Sequence, residues 1–427
     1  MELKGFKKYF ANTSWLMAEK IFRMAVALSV GVYVARYLGP GRFGILSYAM
    51  SFVALFSALS TLGLNGILVR ELVNFPEKRE ELLGTAFILK LIGAGIVLIL
   101  LSLVLYFTGS DQQNNLIIFI IAAGLIFQSF NVIRFYFEAN VLAKFIAVSQ
   151  ITSLVVVSVA KLVFIWLGLP LIYFALVVLI ESLILAIGLS VVYFKQKLNI
   201  FNWQFSFKAA TGLLKDAWPL ILSAIAISLY MRIDQVMIKH MLNDEAVGQY
   251  AAAVRLSEAW YFIPMIITAS LFPAILNAKK VSQELYYKRL QRLYDLMVWM
   301  AIAIALPMTL LSGWVVNLLY GEQYNQAGSV LMIHIWAGVF VFMGVASGKW
   351  YLAENFNRLN LRKTVSGGIV NILLNTILIP KYGIIGAACA TIFSQGTASY
   401  LLDFVFKKTR TNFFRLSRTF NIFRVIH

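Results

Sequence analysis

The chain has 427 residues, of which 60% are hydrophobic and 13% charged, with a mean hydropathy of +0.80. Soluble domains carry roughly 25% charged residues, and no single soluble core can hide this much apolar surface, so an ordinary water-soluble protein is excluded. A net charge of +18 would suggest nucleic acid in a soluble chain. Here the cations sit at the ends of apolar stretches, so the acidic partner is the lipid headgroup and no nucleic acid is expected.

Twelve apolar stretches of membrane-crossing length follow one another: 14–37, 43–65, 84–108, 116–137, 145–168, 170–194, 216–240, 247–276, 293–319, 327–352, 362–380 and 383–406. In lipid each backbone N–H and C=O must be satisfied within its own segment, so these stretches are expected to be helices. They also lack the alternation of a membrane barrel. The predicted fold is an all-α polytopic membrane protein. The start, MELKGFKKYF, has the basic flank of a signal peptide. No small-residue cleavage site follows, and the next apolar run carries Glu19, Lys20 and Arg23, so an uncleaved first helix is expected. Cys389 is the only cysteine and lies in the last span, which rules out an internal disulfide.

The loops between spans alternate, basic then nearly uncharged. Of 37 lysines and arginines, 26 fall on one side, at Lys4, Lys7, Lys8, in the loops following the even-numbered spans, and in the tail. Only Arg36, Arg42, Lys239 and Lys381 fall on the other. Basic loops stay in the cytoplasm, so both termini are expected inside, and an even number of spans is required.

The longest internal loop on the basic side, 195–215, lies at the midpoint. It predicts an N-terminal lobe over 1–200, a C-terminal lobe over 201–406, and a basic tail over 407–427. An offset of 204 pairs Leu38 with Leu242, Gly44 with Gly248 and Ala49 with Ala253, each just after the first helix of its half. Six helices per half would relate the lobes by an axis along the membrane normal, with substrate between them. The tail interleaves Arg415, Arg418 and Arg424 with Phe413, Phe414, Phe420, Phe423 and Ile426, the pattern of an amphipathic helix on the inner leaflet.

No loop is long enough for an extramembrane domain, and no phosphate loop is present. His240, His334 and His427 are scattered, so no metal site is expected. The informative residues are the charges inside spans. Each costs about 2.5–3.5 kcal/mol at mid-bilayer on insertion scales, so it faces a wet or protein interior. Glu19 and Arg23 are i,i+4 on the first helix, with Lys20 adjacent. Arg232 and Asp234 are on the seventh, and Arg255 and Glu258 are i,i+3 on the eighth. Lys161 is on the fifth and Glu181 on the sixth. Lys20, Arg23, Lys161, Arg232 and Arg255 are candidate substrate-binding cations. Glu19, Glu181, Asp234 and Glu258 are candidate charge partners or ion-coupling groups. The competing reading is mutual neutralisation across packed helices. Lys90, Arg134 and Lys349 lie near basic-side helix ends, where snorkelling explains them.

Four motifs carry a resemblance. ARYLGPGRFGILSYA (35–49), RIDQVMIKHMLNDEAVGQYAAA (232–253), LLYGEQYNQAG (318–328) and IPKYGIIGAACATI (379–392) resemble, in this order, the Wzx-type polysaccharide flippases of the MOP (multidrug/oligosaccharidyl-lipid/polysaccharide) exporter superfamily. That resemblance implies two six-helix lobes around a central cavity. It implies translocation of an undecaprenyl-diphosphate-linked oligosaccharide, such as an O-antigen repeat unit, across the bacterial inner membrane. It further implies a cationic cavity, matched by position at Arg23 and Arg255, and coupling to a H+ or Na+ gradient. No enzymatic activity and no bound cofactor are expected. Expected partners are the lipid-linked glycan, membrane lipids and other polysaccharide-assembly membrane proteins. The alternative is an ion-coupled multidrug or cation antiporter of the same superfamily, for which Glu19, Asp234 or Glu258 would dominate.

Overall fold

The computed structural model describes residues 2–108 and 112–420, with side chains for all of these except 2–14, 16, 108 and 357. The side chains of Lys4, Lys7 and Lys8, and all of Phe423, Arg424, Ile426 and His427, therefore lie outside the described residues. Among the described residues every regular element is helical. Ten helical stretches among these residues are long and apolar enough to cross a membrane.

In chain order the helices are α1 (Glu2–Thr61), α2 (Leu64–Asn74), α3 (Arg79–Thr108), α4 (Gln112–Gln128), α5 (Val132–Ala139), α6 (Ala143–Trp166), α7 (Leu171–Lys195) and α8 (Phe207–Met241). There follow α9 (Asp244–Glu258), α10 (Phe262–Val281), α11 (Gln283–Tyr320), α12 (Ala327–His334), α13 (Ala337–Ala353), α14 (Asn357–Gly396), α15 (Leu402–Val405) and α16 (Arg410–Arg418). Two of them, α1 and α14, are each too long for one crossing and break at a glycine. Gly39 has φ 71° and Gly383 has φ 59°, a left-handed backbone that only glycine adopts cheaply. The two breaks fall between the first and second, and between the eleventh and twelfth, expected spans.

Several expected spans are discontinuous. The second is interrupted at Leu62 and Gly63, the eighth at 259–261, and the tenth at Ile335 and Trp336. The fourth tightens into a 3-10 turn, Ser129–Asn131, between α4 and α5. Tightened or broken turns inside membrane helices free backbone polar groups, and such sites often serve binding. The offset of 204 that matches the two sequence halves carries Asn131 onto Ile335, so the fourth and tenth spans break at corresponding places.

The chain groups into two units, Met1–Leu38 with Ile45–Ser228, and Gly39–Gly44 with Leu229–His427. The first turns of α8, which the sequence assigns to the second lobe, belong to unit 1. Ala210, Leu213 and Ala217 enter its core beside Leu64, Leu68, Leu83 and Tyr193, and Asp216 pairs with Arg70. The core of unit 2 gathers Tyr286, Leu290, Tyr294, Met297, Phe342, Trp350 and Tyr351. Many large apolar side chains elsewhere are exposed, among them Trp166 at 83% and Leu310 at 86%. Apolar surface on that scale requires lipid as its solvent.

The tail does form a helix, α16, and it is docked on the protein. Leu416 is fully buried in the unit 2 core, and Asn412 is fully buried beside it. Arg415 lies over the Tyr287 ring at 3.7 Å. The face carrying Leu416 is therefore spent on protein contacts rather than left for the leaflet, while Arg410, Phe414 and Arg418 remain exposed.

Candidate functional site

Within unit 2 the four sequence motifs meet around α9. The segment after the Gly39 break crosses α9 in contact too close for any side chain. A Cβ on Gly44 would stand 1.7 Å from the Asp244 carbonyl oxygen, and one on Gly248 would stand 1.9 Å from that of Pro40. Gly44 and Gly248 are related by the offset of 204, and so are Pro40 and Asp244. The matched segments therefore exchange the same contact reciprocally. The motif following α11 is clamped to α9 by one side chain: Gln249 Nε2 donates to the Gln323 carbonyl at 2.8 Å, and its Oε1 accepts from Ala327 N at 3.1 Å. Asn243 caps α9, its side chain accepting from Ala246 N at 2.8 Å.

The fourth motif reaches α9 through a buried carboxylate. Asp234 on α8 accepts from Tyr250 Oη (2.8 Å, α9), Thr391 Oγ1 (2.7 Å, α14) and Asn375 Nδ2 (2.6 Å, α14). Asn375 Nδ2 also donates to Asn371 Oδ1 at 3.1 Å, and Asn371 donates to Ser394 Oγ at 3.3 Å. Asp234, Tyr250, Asn371 and Asn375 are all buried, and Asn375 Oδ1 has no hydrogen-bond partner among the described residues. A buried carboxylate held by neutral donors alone has no counter-ion, so its charged form is costly. The cluster offers a single formal charge with several neutral oxygens around it. Hard oxygen donors of that charge suit a proton or one monovalent cation. Among the described residues no group of three His, Cys, Asp or Glu side chains could chelate a metal.

The cations of unit 2 stand beside this cluster, but in a different pairing from the expected one. Glu258 does not pair with Arg255. It faces Arg232, whose Nη1 is 3.6 Å from its Oε2. Arg255 instead stacks over Phe43, 4.7 Å from the ring centroid, and Phe43 packs edge-on against Tyr324. The i,i+3 spacing allowed the first pairing. The approach of Phe43 beside α9 and the reach of Arg232 from α8 decided the second. No ion pair among the described residues contains Arg255.

In unit 1 the expected Glu19–Arg23 pair is present at 2.6 Å, with Glu19 buried and Arg23 reaching outward; Lys20 is exposed. Lys161 on α6 and Glu181 on α7 are half-buried, and the Glu181 carbonyl accepts from Ser153 Oγ at 3.2 Å. The structure thus gathers Arg232, Asp234, Arg255 and Glu258 in unit 2, while Glu19, Lys20, Arg23, Lys161 and Glu181 belong to unit 1.

Two assignments need correction. Lys90 does not snorkel: it is 3% exposed, with its ammonium over the Phe135 ring at 4.7 Å. Lys363, counted with the basic loops, is buried in an ion pair with Asp403. Arg134, by contrast, is half-exposed beside Glu138 at 2.8 Å, which is compatible with reaching outward near a helix end. Sequence reasoning also passed over Tyr250, Thr391, Asn371 and Asn375. Two asparagines at i,i+4 inside an apolar span, facing Thr391 and Ser394 of the next, were the available signal.

A family model described as "Polysaccharide biosynthesis protein" matches residues 9–279. The chain belongs to the polysaccharide biosynthesis protein family. It is 24% identical, over 395 residues covering 87% of this chain and 79% of the relative, to a protein of Haloferax volcanii named "Probable low-salt glycan biosynthesis flippase Agl15". Its fold is similar to that of an inward-facing multidrug resistance MATE family transporter of the MOP superfamily (TM-score 0.72, 15% identity, 93% of this chain and 96% of that one). It is also similar to the lipid II flippase MurJ in an inward closed conformation (TM-score 0.70, 15% identity, 90% and 85%). The family member is a multi-pass membrane protein with the fold of these two transporters.

Proposed function

We propose that this family member is a flippase for an undecaprenyl-diphosphate-linked oligosaccharide, an O-antigen or related repeat unit. It would move this substrate across the bacterial inner membrane by alternating access, with the basic loops and both termini in the cytoplasm. The observation that carries the reading is Arg255. It is an intramembrane guanidinium centred 4.7 Å from the Phe43 ring centroid, and no ion pair among the described residues contains it. A planar guanidinium presents its donors in the geometry that phosphate oxygens accept. The apolar spans of both units also carry Arg23 and Arg232, each half-exposed, so cations are available from either unit. The polyprenyl tail stays in lipid while the cations shield the diphosphate. With the cell interior negative, outward movement of the anion is favoured by about 2.3 kcal/mol per charge per 100 mV. The name of the Haloferax relative supports glycan translocation over drug export.

Purified protein in vesicles tests this with a fluorescent lipid-linked oligosaccharide and a cationic dye as control. Arg255→Ala and Arg23→Ala should each slow glycolipid translocation about tenfold or more, the worth of a charge-assisted hydrogen bond. Wild-type rates in both variants, at normal insertion, would sink the cationic reading. Export of dye without glycolipid would favour a multidrug antiporter.

The Asp234 cluster supports coupling to a proton or sodium gradient. Asp234→Asn removes the charge but keeps the shape. It should abolish stimulation of transport by an imposed gradient while leaving glycolipid binding within about twofold, since no direct substrate contact is lost. Undiminished stimulation of the variant by both ions would rule out this carboxylate as the coupling group.

A further inference from the structure

Unit 1 contains a polar cavity of about 260 Å3 that the reading above does not use. Its lining includes Asn65 of α2, Lys90 of α3, Ser129 and Asn131 of the 3-10 turn, and Arg134 and Glu138 of α5. The fold builds it from two local irregularities. The tightened turn between α4 and α5 carries Ser129 and Asn131 to the cavity. The end of α1 lies tightly against α3 one turn beyond Lys90, where a Cβ on Gly93 would stand 3.0 Å from the Leu59 carbonyl oxygen.

Lys90 is the unusual member. Its ammonium has three donors, yet it makes one long hydrogen bond, to Asn65 Oδ1 at 3.5 Å, besides its contact with Phe135. Glu138, the carboxylate in the lining, is engaged by Arg134 Nε at 2.8 Å. Lys363, equally buried in unit 2, has Asp403; no ion pair among the described residues contains Lys90. Ser129 Oγ, also buried, has no hydrogen-bond partner among the described residues. With Lys90 and Arg134 positive and Glu138 negative, the lining has one uncompensated positive charge beside an unused hydroxyl. Burying a cation without a partner is strongly unfavourable, so the cavity is shaped for an anionic oxygen.

We propose that this cavity is a phosphoryl-binding site, with Lys90 Nζ and Ser129 Oγ donating to phosphate oxygens and Arg134 adding positive field. The phosphate can come from the diphosphate of a polyprenyl carrier, from a bilayer phospholipid or from free phosphate. The site itself stands on the cavity, whereas its assignment to the carrier rests on the flippase reading.

The test uses the full-length protein in a maltoside detergent, whose headgroup carries no phosphate. Polyprenyl diphosphate without sugar, phosphatidylglycerol and inorganic phosphate are titrated separately while binding and melting temperature are read. The wild type should bind at least one of the three. Lys90→Met should bind that probe about tenfold more weakly or worse, with a melting temperature in the absence of probe that is unchanged or higher, because an uncompensated buried charge has been removed. Lys90→Arg should keep most of the binding. The probe that responds identifies the source. Equal binding of every probe by wild type and Lys90→Met, or no binding by the wild type, overturns the proposal. A lower melting temperature of Lys90→Met with unchanged binding makes Lys90 a structural residue and overturns it equally. A protein that binds phosphate here but moves no glycolipid would retain this site and lose the flippase reading.

Discussion

Replacing Asp403 by alanine should cost the folded protein about 3–5 kcal/mol, the penalty for stranding one member of a buried ion pair. Asp403 and Lys363 are 0% and 2% exposed. The carboxylate accepts from Lys363 Nζ and Tyr351 Oη through one oxygen, and from Asn412 Nδ2 at 2.7 Å through the other. Thr409 Oγ1 donates to the Asp403 carbonyl at 2.8 Å, and Tyr294 Oη donates to Asn412 Oδ1 at 2.6 Å. The variant would leave an ammonium, a phenol and an amide without their acceptor and would loosen α16 from α15. Thermal unfolding in detergent should show a large fall in midpoint, and limited proteolysis should cut the tail first. The double variant Lys363→Met with Asp403→Leu should recover the part of the loss due to the stranded ammonium, because two apolar side chains need no desolvation of charge, while the Tyr351 phenol and the Asn412 amide still lack their acceptor. An Asp403→Ala midpoint equal to that of the wild type would refute the clamp.

The second large effect is expected where the matched motifs cross. Gly248→Ala places a methyl group 1.9 Å from the Pro40 carbonyl oxygen, and Gly44→Ala places one 1.7 Å from that of Asp244. Both obstacles are backbone, which cannot rotate away, so α9 and the segment after Gly39 must separate. Overpacking costs about 1–3 kcal/mol, and more where neighbours cannot yield. Each alanine should reduce the yield of correctly inserted protein and also loosen the seat of Arg255 on Phe43. Alanine at Gly41, where a Cβ meets nothing within 4 Å, is the control. Normal yield and melting of Gly248→Ala would show that the helices accommodate the methyl group.

These contacts show what the chain sequence conveys about its own site. That Gly44 and Gly248 are equivalent was legible from the offset of 204, since repeated segments keep their special residues. That they touch was not, because equivalence in sequence does not say whether two copies pack together. The importance of Asp234 was legible from the cost of a carboxylate in lipid. Its partners were not: Tyr250, Asn375 and Thr391 lie 16, 141 and 157 residues away, and only helix packing brings them within hydrogen-bond distance. Arg255 was legible as a charge within an apolar span, but its neighbour is Phe43, 212 residues away, rather than Glu258 one turn along.

By itself the sequence determined that this is a helical membrane protein. Backbone hydrogen bonds must close within each apolar stretch, and basic loops cannot easily cross, so both properties follow from local chemistry. It also determined which charges need an explanation, because the penalty for burying a charge depends on the residue and its depth. Only the tertiary structure decided which charges are paired, and with what. It turned Lys90 inward at an end where lysines ordinarily reach for water, buried Lys363 against Asp403, and docked the basic tail on the protein. Each of those outcomes depends on which helix faces lie together, and periodicity along one chain carries no record of the face opposite.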